Sequence, residues 1–125
     1  MWKSKSSEDY LEAIFVLSKC LPEVRSIDVA NKLNFSKASV SVAMKNLRED
    51  DCVKVDGSGF ITLTERGLDI ATKIYNRHDF ISRWLVSLGV DKATAHSDAC
   101  EMEHFLSEAS FKAIKEFVES NKDLK

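Results

Sequence analysis

Two short helical patterns separated by a two-residue break, a β-rich pair of runs around a glycine turn, and a long helical periodicity behind them predict a mostly α fold. Its expected architecture is an N-terminal winged helix-turn-helix with a small β-hairpin wing, followed by a helical half. The first pattern, "SEDYLEAIFVLSKC", has Ser7 as N-cap and acids in the first turn, suiting the positive end of the helix dipole. "SIDVANKL" reads as a short helix capped by Ser26, and "NF" breaks it before Ser36 caps "SKASVSVAMKNLRED". Val40, Met44 and Leu47 recur at i, i+4 and i+7, giving that helix an apolar stripe with small polar and basic residues opposite. In "CVKVDGSGFITLT" the turn Asp56-Gly57-Ser58-Gly59 contains glycines tolerant of positive φ, so a hairpin follows the helix pair directly. Thr64 then caps a long helical pattern ending at Gly89. Asp91 and Ser107 are expected N-caps of two more helices, running to about Phe105 and Asn121. The chain is expected to divide near Gly67, into a winged-helix domain over 1–66 and a helical domain over 67–125.

At 125 residues, 44% hydrophobic and 30% charged, the chain is composed like an ordinary globular protein. No apolar run reaches the roughly 18 residues of a membrane-spanning helix, and the start "MWKSKSSEDY" is polar where a secretory signal needs an apolar segment. No membrane partner and a cytoplasmic location are expected. Three widely spaced cysteines, Cys20, Cys52 and Cys100, suit reduced thiols better than a disulfide framework. The net charge of -2 does not announce nucleic-acid binding, but the stretch from Val29 to Arg48 lacks acids and carries Lys32, Lys37, Lys45 and Arg48. On the second helix of the pair, Lys37, Ala38, Ser41, Val42 and Lys45 are expected to face a DNA groove, with Ser36 and Ser39 near phosphates.

The segment "AHSDACEMEHF" raises a different chemistry. On a helix, His96, Cys100, Glu103 and His104 share about 100° of arc and can converge, while Ala95, Ala99, Met102 and Leu106 occupy another sector, which is expected to be the core face. Far upstream, Asp9 and Glu12 stand three apart on a helix that is otherwise apolar almost all round. Carboxylates drawn toward an interior need a cation, either a basic side chain such as Arg77 or Arg83 or a divalent metal. His78, in the middle of the long helix, offers a further nitrogen.

These residues carry a resemblance. "SEDYLEAIF", the helix-turn-helix, "YNRH" and "DACEMEHFLS", in that order from Ser7 to Phe117, are similar to the diphtheria toxin repressor family of metal-dependent bacterial repressors, manganese transport regulators included. The resemblance implies a homodimer that binds a divalent metal between its DNA-binding and dimerisation parts and, when loaded, represses metal-uptake genes at an operator that is expected to be palindromic. By position, Asp9, Cys100, Glu103 and His104 match the family's regulatory metal site. Asp9 is the residue of the manganese branch and Cys100 that of the iron branch, so the chain is a hybrid. Glu12 and His78 match a second ion of the manganese regulators, and His96 a second-site histidine of the iron branch, where Ser82 replaces a glutamate. The SH3-like domain of many iron-branch members has no counterpart in these 125 residues. Fe(II) or Mn(II) is the expected corepressor, with Zn(II), Co(II) or Ni(II) able to substitute in vitro, since a thiolate and the Irving-Williams order both favour the later metals. Two other expectations compete: a winged-helix regulator answering a non-metal signal, and a small metalloenzyme with a metal-activated water.

Overall fold

The computed structural model describes residues 5–121. Residues 1–4 and 122–125, which hold the polar start of the chain and the outer edges of both expected domains, lie outside the described residues. The elements run α1 (Lys5–Cys20), α2 (Ser26–Leu33), α3 (Lys37–Glu49), β1 (Val53–Val55), β2 (Ile61–Leu63), α4 (Glu65–Ser87), α5 (Lys92–Phe105) and α6 (Glu108–Ser120). The chain forms two compact units, one up to Lys73 and one from Ile74 on, the boundary falling inside α4.

The first unit is built on one apolar cluster. Leu11 and Ile14 of α1, Val29 of α2, Val40, Met44 and Leu47 of α3, and Cys52, Val53 and Ile61 at the wing are all buried in it. Burying each such aliphatic side chain contributes roughly 1.5–3 kcal/mol, so the stripe seen in the sequence of α3 is what fixes that helix. α1 buries Tyr10, Leu11, Ala13 and Ile14, half-buries Phe15, Val16 and Leu17, and exposes its last turn. It begins by Lys5 rather than at Ser7. The Lys5 ammonium meets the Asp9 carboxylate at 3.0 Å, one turn on, and this pair supports the extra turn. α2 likewise starts one residue earlier than expected: Arg25 is the N-cap and Ser26 is already helical. The reason is that the Arg25 N–H donates to the Asp28 carboxylate at 2.9 Å, the backward half of a capping box. Asn34, at φ 59°, ends α2 in the left-handed region. Ser36 caps α3 as expected, accepting from the Ser39 N–H at 3.1 Å.

β1 and β2 pair antiparallel with Val53 opposite Leu63 and Val55 opposite Ile61. In the turn between them the Asp56 carboxylate accepts from the N–H groups of Ser58 and Phe60, at 2.8 and 3.0 Å. Gly59 takes the positive φ, 85°; Gly57 does not. The Ile61 N–H also donates to the Val24 carbonyl at 2.7 Å, so the loop before α2 bridges to β2 at one residue. Thr64 caps α4, its hydroxyl accepting from the Gly67 N–H at 3.1 Å and donating to the Asp51 carbonyl at 2.6 Å. Gly67 is required by space: a Cβ there would stand 2.0 Å from the Cys52 carbonyl oxygen.

In the second unit, Asp91 and Ser107 cap α5 and α6, accepting from the N–H groups of Thr94 and Ser110 at 3.1 Å each. Hydrogen bonds from Thr94 hold the Asp91 carboxyl below the usual carboxylate range. Phe80 of α4 meets Phe111 of α6 edge to face at 5.6 Å between centroids, and the Arg77 guanidinium lies over the same Phe111 ring at 4.9 Å. Ile81, Ala95, Ala99 and Val118 are buried, whereas Leu88, Phe105 and Phe117 remain exposed.

Replacing Gly67 with alanine should therefore lower stability by about 1–3 kcal/mol in urea unfolding, through overpacking against backbone. Gly57, where an added Cβ would meet nothing within 4 Å, is the control, and Gly57→Ala should change stability by no more than about 0.5 kcal/mol.

Candidate metal centre and nucleic-acid interface

The donor groups of the second unit converge across α4 and α5. His78 lies between two partners: its Nδ1 is 2.8 Å from Glu103 Oε1 and its Nε2 is 2.9 Å from His96 Nδ1. The Cys100 sulfur sits 3.8 Å from His78 Nδ1 and 3.8 Å from His96 Nε2. His104 Nε2 is 3.4 Å from the other Glu103 oxygen. On α5 itself Cys100 approaches His96 and Glu103 approaches His104, and His78 of α4 reaches Glu103, His96 and Cys100.

The expected sorting of α5 into a polar face and a core face does not hold. The polar cluster does not face away from the core: Glu103 is only 1% exposed and His104 is also buried, while Cys100 is half-buried and His96 exposed. Glu103 follows Ala95 and Ala99 at four-residue steps, within about 40° of Ala99, so the buried stripe of small residues runs straight into the carboxylate. A buried carboxylate is expensive unless hydrogen-bonded or paired, and His78 meets that need at 2.8 Å.

Arg77 holds the end of α5 in place. Its Nη1 donates to the Glu103 carbonyl at 3.3 Å and to the Leu106 carbonyl at 2.7 Å, satisfying oxygens that the helix terminus leaves open. The sequence suggested Arg77 or Arg83 as a cation for the acids of α1. Within the second unit Arg77 is a clamp on backbone, and Arg83 pairs with Asp79 at 3.4 Å. A contact to a carbonyl 29 positions away leaves no local pattern to find. Asp9 and Glu12 both lie half-buried on α1 in the first unit.

On α3 the residues expected to meet DNA form one exposed face: Lys37, Ala38, Ser39, Ser41, Val42 and Lys45 are all open to solvent, with Val42 61% exposed. Val42 stands on the outward side of α3, opposite the buried Val40–Met44–Leu47 stripe. The Ser36 hydroxyl donates to Ser39 Oγ at 3.0 Å besides capping the helix, so its first duty is to order the α3 N-terminus. Beside this face runs an open groove of about 650 Å³, lined by Tyr10, Phe35, Ala38, Ser39, Val42 and Asn46 among others. Arg25, stacked 4.5 Å over Phe60 at the wing, was not flagged by the sequence.

A winged helix with an exposed recognition face, followed by a helical unit whose donor groups suit a divalent cation, defines a metal-responsive DNA-binding regulator. Comparison with known proteins agrees. Residues 4–59 match the model of the iron dependent repressor N-terminal DNA binding domain, and residues 64–123 that of the iron dependent repressor metal binding and dimerisation domain. The chain is 37% identical over 122 residues to an uncharacterized HTH-type transcriptional regulator of Methanocaldococcus jannaschii, covering 96% of this chain and 98% of that one. It is 30% identical to the transcriptional regulator MntR of Escherichia coli O157:H7, over 91% of this chain and 74% of MntR. Among solved structures it is similar to that of the manganese regulator SloR, with a TM-score of 0.81, 28% identity and 93% of this chain covered. It spans about half, 54%, of the SloR chain. The protein belongs to the iron-dependent repressor family, and it is a metal-dependent DNA-binding transcriptional repressor. No described helix is long and apolar enough to cross a membrane.

If Arg77 positions the end of α5, Arg77→Ala should lower the stability of the apo protein by about 1.5–3 kcal/mol in urea unfolding, the usual cost of hydrogen bonds to a charged group. Arg77→Lys, which retains the charge but has no planar fork, should recover only part of that loss.

Proposed function

We propose that the protein represses metal-uptake genes with ferrous iron or manganese as corepressor, acting in the cytoplasm as a homodimer on a palindromic operator. The observation that carries this reading is the run of contacts linking His104, Glu103, His78 and Cys100, donor groups of a divalent ion, in a chain whose other half is a winged helix. Asp9, Glu12, His78, His96, Cys100, Glu103 and His104 are the proposed ligands, with Asp9 and Glu12 included on the family resemblance. Their chemistry fits a divalent transition ion: carboxylate oxygens and imidazoles suit manganese and iron, and the thiol favours iron. Manganese regulation is a property of the relative SloR and supports manganese as the other option; zinc, cobalt or nickel would compete in vitro. Bound there, the cation supplies positive charge and a fixed link among its ligands.

The chain's own groups do the rest. Glu103 and His104, held by Arg77 through the α5 terminus, offer donors at an ordered place. Neutralising carboxylates and a thiolate removes negative charge from a protein of net charge -2, which eases its approach to phosphates. Lys37 and Lys45 contact the backbone, while Ala38, Ser41 and Val42 reach base edges, with Ser36 and Ser39 close to phosphates. Exposed Phe105, Phe117 and Leu88 supply apolar surface for a second copy. Nothing in this mechanism turns over a substrate, and the protein acts as a regulator rather than an enzyme.

The test is anaerobic binding, with reduced thiols, to promoter DNA upstream of a metal-uptake gene of the same organism, titrated with ferrous iron, manganese or a chelator. Binding should tighten by about 5–150-fold with metal, the usual range of an allosteric coupling; equal binding in chelator defeats the proposal. Asp9→Ala should lose most of that metal-dependent gain. Lys45→Ala should weaken binding to specific and random DNA alike and reduce the slope of log K against log salt by about 1.

A further inference from the structure

Arg25 stands where the helix pair meets the wing. It is the N-cap of α2, its N–H held by the Asp28 carboxylate at 2.9 Å, and the preceding Val24 is buried and bridged to Ile61 of β2. Its backbone is thus fixed from both sides, while its side chain makes no cap hydrogen bond. The guanidinium instead lies over the Phe60 ring, 4.5 Å from the centroid. It is exposed and has no ion pair among the described residues. A cation set against an aromatic ring rather than a carboxylate keeps its N–H donors open, and the planar fork of arginine matches a phosphate.

The strand register shows what surrounds it. Val53 and Ile61 are buried against the core, so alternation puts Lys54, its partner Thr62, and Phe60 on the outer face of the wing. These three line one depression with Arg48, Asp51 and Asp56. The Asp56 carboxylate there is engaged by the N–H groups of Ser58 and Phe60, whereas Lys54 and Arg48, like Arg25, have no ion pair among the described residues. In a helix-turn-helix the first helix crosses the nucleic-acid backbone while the second enters the groove, which puts the N-terminal end of α2 on the backbone side. We propose that Arg25, propped on Phe60, binds a DNA phosphate beside the segment that α3 reads, with Lys54 extending the contact along the wing. Phe60 is a positioning residue: a long side chain held in place beforehand loses less freedom on binding. The contact fixes the register of the protein on the duplex and carries no sequence information.

Salt dependence tests this, because each neutralised phosphate adds about 0.9 to the slope of log K against log salt. The probe is a fluorescent random-sequence duplex, titrated with the full-length protein in excess manganese(II) between about 50 and 200 mM salt. Arg25→Ala should lower the slope by about 1 for each subunit on the DNA, and Arg25→Lys should keep it. Phe60→Leu should keep the slope but weaken binding about two- to tenfold, and Phe60→Trp should restore it. The proposal rests on the reading of α3 as the groove helix, which Lys45→Ala reports separately. A normal slope in Arg25→Ala, whatever its affinity, beside a reduced slope in Lys45→Ala would overturn the proposal and leave that reading standing. A normal slope in both would overturn both. Phe60→Leu binding as tightly as wild type would overturn the role given to the ring.

Discussion

The second unit is organised by one demand: the carboxylate of Glu103, 1% exposed, has to be answered by polar partners. Removing a partner from a buried ionised group costs several kcal/mol, so His78, 2.8 Å away on α4, ties that helix to α5 as firmly as an apolar contact would. His78 in turn reaches His96 through its other nitrogen, and the Cys100 sulfur approaches both rings. Arg77, one residue before His78, clamps the carbonyls at the end of α5 and lies over Phe111 of α6. α4 and α5 are thus registered by groups that would bind an ion, while α6 is held beside them through Phe111.

The DNA-binding half depends on a simpler constraint. α3 buries Val40, Met44 and Leu47 and so must present the opposite face outward. That face carries lysines, serines and small apolar residues but no acid, which is how a protein of net charge -2 keeps a surface acceptable to phosphates. The wing hangs on the same core through Cys52, Val53 and Ile61, and Gly67 allows α4 to start hard against the Cys52 carbonyl.

Much of this was legible in the sequence because it is local. The stripe of α3, the caps at Ser36, Thr64, Asp91 and Ser107, and the breaks at Asn34 and Gly89 each rest on residues within a turn of one another, and the structure has them all. The misses are of another kind. Arg25 displaced Ser26 as a cap because Asp28 answers its N–H, and α1 gained a turn through Lys5 and Asp9. The burial of Glu103 was readable from its four-residue step after Ala99, yet a carboxylate is assigned to solvent by habit. The role of Arg77 could not be read at all, since its acceptors lie 26 and 29 positions away.

On the function proposed, metal and DNA bind in one linked equilibrium. Linkage requires reciprocity: whatever factor the metal adds to operator affinity, the operator must add to metal affinity. The direct measurement is an anaerobic competition titration of the corepressor metal against a fluorescent chelator, with and without saturating operator DNA. DNA should tighten metal binding by the same factor by which metal tightens DNA binding. Metal affinity unchanged by the operator would contradict it.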